Sequence, residues 1–173
     1  MSMDEVKVVV DAMGGDDAPG VVLEGVDQAV AQDPSLTVIL TGPEDVIVPF
    51  AAQHGNVIAH PTTEVIGMGE HPAEAGRRKK DSSIVVGCRL VKDGEAGGFF
   101  SAGSTGACMS AATLVIGRIK GVKRPAIATV LPSPVAKVVF ADMGANADCK
   151  PDYLVQFARM ARVYAQVTLG IDN

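Results

Sequence analysis

Tryptophan is absent from this 173-residue chain, and aromatic residues make up only 4% of it. Its core must therefore be aliphatic, built from Val, Ile, Leu and Ala. Cysteine is scarce as well: three residues, at 88, 108 and 149, with no CxxC pair among them. An odd, scattered set of this kind excludes a disulfide frame or zinc ribbon and reads as reduced thiols in a cytoplasmic protein. Positive charge is not in excess. A net charge of −5 argues against a general nucleic-acid binder, which needs a basic face to displace counterions from phosphates. No run approaches the roughly 20 consecutive apolar residues of a membrane span. The start, "MSMDEVKVVVDAM", is acidic with a short apolar run, so it is no signal peptide. Familiar catalytic signatures are missing too: there is no GxxxxGKS/T, GxGxxG or GxSxG. His54, His60 and His71 lack metal-ligand spacing such as HExxH, and of the three His71, in "GMGEHPAE", has the most functional setting.

What is present is an ordinary globular composition, 47% apolar and 20% charged. A chain of this length buries roughly 70% of its unfolded surface, enough for a core without disulfides or metal. Short apolar, β-branched runs recur at 6–13, 36–42, 56–61, 97–103, 125–132 and 137–144. Most are nearly continuous, as in strands buried on both faces. Helical spacing lies between most of them. Val21, Val22, Val26, Ala29 and Val30 form a stripe opened by Pro19. Ile84, Cys88 and Val91 mark another, with Ser82 or Ser83 as N-cap. Residues 106–117 are apolar nearly all round, which predicts a deeply buried helix. Pro151 opens the last helix, with Leu154, Phe157, Ala158, Ala161 and Ala165 along one side. Strands alternating with helices predict an α/β fold with a mostly parallel sheet covered on both faces. The exception is the pair 125–132 and 137–144, whose short connection predicts an antiparallel hairpin. Residues 1–173 read as a single α/β region. Because the chain stops straight after a helix, where a strand is expected, it reads as the front part of a longer enzyme domain.

Ligands of parallel sheets gather at the carboxyl ends of the strands. Three strand ends here carry polar, glycine-rich loops: "DAMGGDDAP" (11–19), "SAGSTGA" (101–107) and "ADMGANADCKP" (141–151). Gly14, Gly15, Gly103 and Gly106 allow tight turns and close backbone approach. A helix behind the central loop would aim its unpaired N–H groups and positive dipole end at a ligand. Ser101, Ser104 and Thr105 add hydroxyl donors. Together these suit an anion, most simply phosphate. The alternative is an N-cap turn whose hydroxyls satisfy helix donors. Asp11 and Asp16 flank the first glycine pair; Asx turns, orientation of neighbouring donors, or a metal are all open for them. In the third loop Asn146 and Lys150 are candidate reactive groups, Lys150 as a point charge toward an anion. Alternatively Asp148 caps the following helix and Lys150 is solvated. The run "RRKKDSS" (77–83), with Arg77, Arg78, Lys79 and Lys80, is the dense basic cluster. It reads either as a solvated face or as a landing site for an acidic partner.

Five blocks, "DAMGGD.AP", "RRKKDSS", "SAG.TGA", "GRIKG..RPA" and "GAN.DCKP", occur in order along essentially the whole chain. In this the sequence resembles the front half of the bacterial phosphate acyltransferase family of phospholipid synthesis. Asp11 to Asp16 match that family's first glycine loop, Ser101 to Ala107 its central loop, and Gly144 to Pro151 its third. Asp17 stands where the family usually has His, and Ser104 where it usually has Asn. The resemblance implies a three-layer α/β/α sandwich similar to phosphotransacetylases and isopropylmalate dehydrogenases. It implies a transfer in which inorganic phosphate attacks the thioester carbonyl of an acyl chain on acyl carrier protein, with no metal or cofactor. Phosphate, held by Gly14, Gly15, Asp16, Ser101, Gly103, Ser104, Thr105 and Gly106, would face the catalytic pair Asn146 and Lys150. Arg77 to Lys80 would dock the acidic carrier. Family members form homodimers, and some associate peripherally with the inner face of the membrane. Two alternatives stay open: a phosphotransacetylase-like enzyme using acyl-coenzyme A, and a truncated phosphate-binding chain without catalysis.

Overall fold

The computed structural model describes residues 6–171, in two compact units divided after Gly117. Residues 1–5 and 172–173, which bear on the readings of the two chain ends, lie outside the described residues.

In the first unit, strands β1 (Val6–Asp11), β2 (Leu36–Gly42), β3 (Val57–Pro61) and β4 (Gly98–Phe100) form a four-stranded sheet in the order β3-β2-β1-β4. Every pairing is parallel, with Val8 opposite Val38 and Val10 opposite Phe100. Side chains alternate across a sheet, and here both faces are covered. On one face Val10, Val38 and Leu40 meet Val22, Val26 and Val30 of α1 (Gly20–Gln32) and Ile47 of α2 (Glu44–Ala51). On the other, Val9 and Ile39 meet Val86 and Leu90 of α4 (Ser83–Lys92). Each such side chain taken fully out of water contributes about 1.5–3 kcal/mol. The continuous apolar runs in β1 and β2 are thus explained by helices on two sides, and the unit is a three-layer α/β/α sandwich. Ser82 caps α4, its Oγ accepting from the Val85 amide at 3.4 Å. Gly87 lets α4 press on the sheet, since a Cβ there would stand 2.5 Å from the Phe99 ring. Helices α3 (Pro72–Arg78) and α5 (Thr105–Val115) add a further cluster with α4, through Ala75, Ile84, Cys88, Ala107 and Ala111.

The second unit holds the antiparallel pair β5 (Ala128–Leu131) and β6 (Val138–Ala141), with Thr129 opposite Phe140 as the short connection predicts. Helix α6 (Pro151–Leu169) packs on β6 within this unit and ends at Gly170 in the left-handed conformation.

Three readings of the sequence are corrected. Val21 is 56% exposed, because α1 turns only Val22, Val26 and Val30 into the core. It lines instead an apolar groove of 510 Å3 with Val10, Gly25, Phe100 and Ala102. Helix α5 buries only Ala107 and Ala111, while Leu114 and Ile116 are exposed, since it packs against α3 and α4 on one side. On α6, Leu154 and Ala158 face solvent and Phe157 is the buried anchor. Two helices are additions. Proline at 49 within α2, and Pro72 and Gly76 within the seven-residue α3, mask their helical character in the sequence. Among the described residues no helix is long and apolar enough to cross a membrane.

Candidate anion-binding site

The chain runs from β1 to β2 to β3 in one direction, then returns to place β4 on the far side of β1. This reversal makes the carboxyl ends of β1 and β4 the switch point of the sheet, the place where open α/β sheets leave a crevice for ligands. The first and central glycine loops leave the sheet at these two ends.

Contact between them is close. A Cβ on Gly14 would stand 2.7 Å from Ser101 Oγ, 2.8 Å from the Gly103 nitrogen and 2.9 Å from the Ala102 nitrogen. Only glycine lets the two backbones approach this far. Gly15, at φ +110°, makes the turn that follows. Asp11, 2% exposed at the end of β1, lies beneath. Its Oδ1 accepts from the Met13 amide at 3.0 Å and its Oδ2 from the Ser101 hydroxyl at 2.8 Å. Ser101 Oγ in turn accepts from the Gly103 amide at 3.0 Å. The hydroxyl of Ser101 and the amide of Gly103 are therefore engaged inside the loop pair.

Helix α5 starts immediately beyond. Ser104 is its N-cap, with Oγ accepting from the Ala107 amide at 3.3 Å. The amides of Thr105 and Gly106 lie in the first turn of α5 and have no acceptor within the helix. Thr105 is exposed. Gly106 fits against the start of α3, where a Cβ would come within 2.7 Å of Pro72 Cγ. Asp16 is exposed on the first loop.

The basic run divides by environment. Arg77 and Lys80 are exposed, and Arg78 pairs with Glu74 one helical turn back at 2.7 Å. Lys79 is half-buried, its Nζ 2.6 Å from both Glu70 Oε1 and the Val65 carbonyl. That contact with Lys79, followed by the Gly67 amide, holds the Glu70 carboxyl below its ordinary range. Lys79 thus faces inward, whereas its neighbours face solvent. His71 is the N-cap residue of α3, exposed, with no cap bond from its side chain.

The third loop belongs to the second unit and is described there by itself. Asp142 Oδ1 accepts from the Ile127 amide at 2.8 Å, and Oδ2 accepts from the Asn146 amide at 2.8 Å and from Asn146 Nδ2 at 3.0 Å. Nδ2 also donates to the Pro125 carbonyl at 2.9 Å. Burial pushes the Asp142 carboxyl up, but the bonds from Ile127, Asn146 and Ala145 outweigh it and hold the group below its ordinary value. Lys150, exposed, is the N-cap residue of α6, and no side chain caps that helix. Neither thiol of the first unit is poised as a nucleophile: burial and the nearby Cys108 push Cys88 up to about 12, and burial raises Cys108. Among the described residues no three His, Cys, Asp or Glu side chains converge as a metal site would require.

Of the residues the sequence singles out, the structure brings together Gly14, Gly15, Ser101 and Gly103, with Ser104, Thr105 and Gly106 continuing into α5. Asp11, for which the sequence left an Asx turn, orientation of neighbouring donors or a metal open, makes the Asx-type bond to Met13 and accepts from Ser101; that partner, ninety residues away, leaves no local signal in the sequence.

A parallel α/β/α sandwich with two interlocked glycine loops and a helix amino end at its switch point belongs to the class of open α/β folds, whose ligands gather at that place in the sheet. Comparison with known proteins narrows this. Residues 6–173 match the family model described as "Fatty acid synthesis protein", and the chain belongs to that family. It is 52% identical over 171 residues to a phosphate acyltransferase of Desulfitobacterium hafniense strain Y51, covering 96% of this chain and 50% of the relative. Similar proteins of the same name occur in Clostridium perfringens (45% over 171 residues, 96% and 50%) and Staphylococcus haemolyticus (47% over 169 residues, 97% and 51%). The chain thus spans about half the length of the curated relatives it matches.

Proposed function

We propose that this chain carries the phosphate-holding part of a phosphate acyltransferase, which moves a fatty acyl group from acyl carrier protein to inorganic phosphate. The observation that supports this most is the interlocked loop pair at the switch point, in a family whose relatives bear that activity's name.

The chemistry is economical. A phosphate oxygen attacks the thioester carbonyl carbon, the carbonyl oxygen becomes an oxyanion, and collapse breaks the C–S bond. Acyl phosphate and the carrier thiolate result, and the thiolate takes a proton from water. Phosphate is already anionic at pH 7, and a thiol of pKa about 8.5 leaves readily, so no triad is needed. What the protein must supply is proximity for two negative groups and stabilisation of the oxyanion. The amides of Thr105 and Gly106, with the hydroxyls of Ser104 and Thr105, are placed for phosphate at the positive end of α5. In the second unit, taken by itself, the exposed Lys150 is a mobile cation and Asn146 braces the loop that carries it. Arg77, Arg78 and Lys80 offer the acidic carrier a solvent-facing basic edge, and the same chemistry would let a second copy or an anionic membrane surface associate peripherally.

Release of free thiol from a long-chain acyl carrier protein thioester, with and without inorganic phosphate, tests this. Phosphate-dependent release from the carrier thioester supports the proposal. Release from the matching coenzyme A thioester alone would replace it with a phosphotransacetylase. Phosphate binding with no release from either thioester would cut the reading back to phosphate binding without turnover.

A further inference from the structure

Resting on the phosphate-site reading above, we infer that Asp11 and Ser101 are positioning residues, which set the central loop for phosphate without touching it. Four groups form a continuous relay. The Gly103 amide donates to Ser101 Oγ, the Ser101 hydroxyl donates to Asp11 Oδ2, and the Met13 amide donates to Asp11 Oδ1. Asp11 therefore holds one atom of each loop, and the single hydroxyl proton of Ser101 is committed to it.

An anion site with a carboxylate beneath it runs against simple charge repulsion, and the geometry resolves this. Asp11 is 2% exposed and behind the loops, with Gly14 and Gly103 packed above it: a Cβ on Gly103 would still lie 3.8 Å from Asp11 Oδ2. Its charge is taken up by hydrogen bonds, and charge-assisted bonds of this kind are the strong ones. Linked bonds also polarise one another. The relay consumes the donors at 13, 101 and 103 and fixes the turn that delivers Ser104 to its capping position. The donors left for a ligand then include those of residues 104–106 at the head of α5. Phosphate recognition accordingly shifts three residues along the chain from where the serine and glycine of "SAG" suggest.

A charge role and a positioning role predict opposite results. If Asp11 acted only through its charge, replacing it by either Asn or Ala would relieve repulsion and tighten phosphate binding. If it positions, Asp11→Asn keeps an acceptor for Met13 and offers Ser101 an N–H, so the turn survives; Asp11→Ala loses both ends of the strut.

The experiment is isothermal titration calorimetry of the full 173-residue chain with inorganic phosphate, for wild type, Asp11→Asn, Asp11→Ala, Ser101→Ala and the Asp11→Ala/Ser101→Ala pair. Thermal unfolding of each variant runs alongside. Asp11→Ala and Ser101→Ala should each weaken binding about tenfold, and the double variant about as much as either alone, because they break one relay. Asp11→Asn should bind within about twofold of wild type. Ser101→Ala, which removes one hydroxyl from a half-buried site, keeps the test open should Asp11→Ala fail to fold. Unchanged affinity in both Asp11→Ala and Ser101→Ala, or tighter binding in Asp11→Asn and Asp11→Ala alike, would overturn the positioning role while leaving the phosphate site standing. Absence of phosphate binding by the wild-type chain would overturn both.

Discussion

Two aspartates close strand ends in this chain, and they do so in contrasting ways. Asp11, at the end of β1, is fully buried and joins its own loop to one that begins ninety residues later. Asp142, just beyond β6, is half-buried and gathers Ile127 and Asn146, all within one hairpin and its following turn. The first joint is made of chain segments that only the parallel sheet brings together, and the second of segments that a local turn already holds close. Long-range joints define where two loops meet; local ones stiffen a loop that would exist without them.

The glycines test this contrast most strongly. Gly14→Ala must push a Cβ into Ser101 Oγ and two backbone nitrogens, and should cost about 2–3 kcal/mol in urea unfolding as an overpacked contact. Gly144, at φ +86° with open space around its Cβ position, should cost only about 1 kcal/mol when changed to Ala, the penalty of a left-handed backbone. Equal costs at the two sites would erase the distinction between a joint and a turn.

Lys150→Met follows. The side chain is exposed and caps nothing, so the melting midpoint should hold. Phosphate-dependent thiol release should fall by about a hundredfold if the cation stabilises developing charge. A large drop in midpoint instead would make Lys150 structural. Thr105→Val is smaller: it is nearly isosteric, and loss of one hydroxyl bond should weaken phosphate binding by about fivefold with unchanged melting. Full retention of affinity would remove Thr105 from the cradle.

The smallest effect lies away from both loops. His54 bridges the end of α2 to α1, with Nδ1 2.9 Å from the Phe50 carbonyl and Nε2 2.9 Å from Asp27 Oδ1. Both acceptors favour the imidazolium, and the Asp27 bond, then Phe50, raises its pKa. A raised folded value means that the added stability is fully present below the ordinary value near 6.5 and fades as pH rises through the raised one. The unfolding midpoint should therefore slip slightly between pH 6 and pH 8, and His54→Gln should flatten that slope. A slope unchanged in His54→Gln would assign it to other groups.

The sheet was legible in the sequence because continuous β-branched runs such as "VKVVVD" and "LTVILTG" have few other uses, and the hairpin because "SPVA" is too short for a crossover. The helical stripe of α1 was legible except at Val21, where periodicity does not reveal which edge of the stripe the core stops at. The apolar girth of α5 and the outer face of α6 misled, since hydrophobicity records what a side chain can be packed against and not which partner lies there. In the site, the glycine loops were visible as composition. The engagement of Ser101 with Asp11, and of Gly103 with Ser101, was not, because nothing local at position 11 announces a partner at 101. Lys79 taught the same lesson: within a run of four cations, Glu70 and the Val65 carbonyl select one to face inward.

The central claim is that phosphate sits at the head of α5, held by residues 104–106 above the Asp11–Ser101 joint. The most direct measurement is a titration of the isotopically labelled chain with inorganic phosphate, followed by amide resonances in two-dimensional NMR. The account predicts saturable shifts that are largest at the amides of Thr105 and Gly106, with smaller ones at Met13 and Gly103. Shifts centred elsewhere in the chain, or none at these residues, would contradict it.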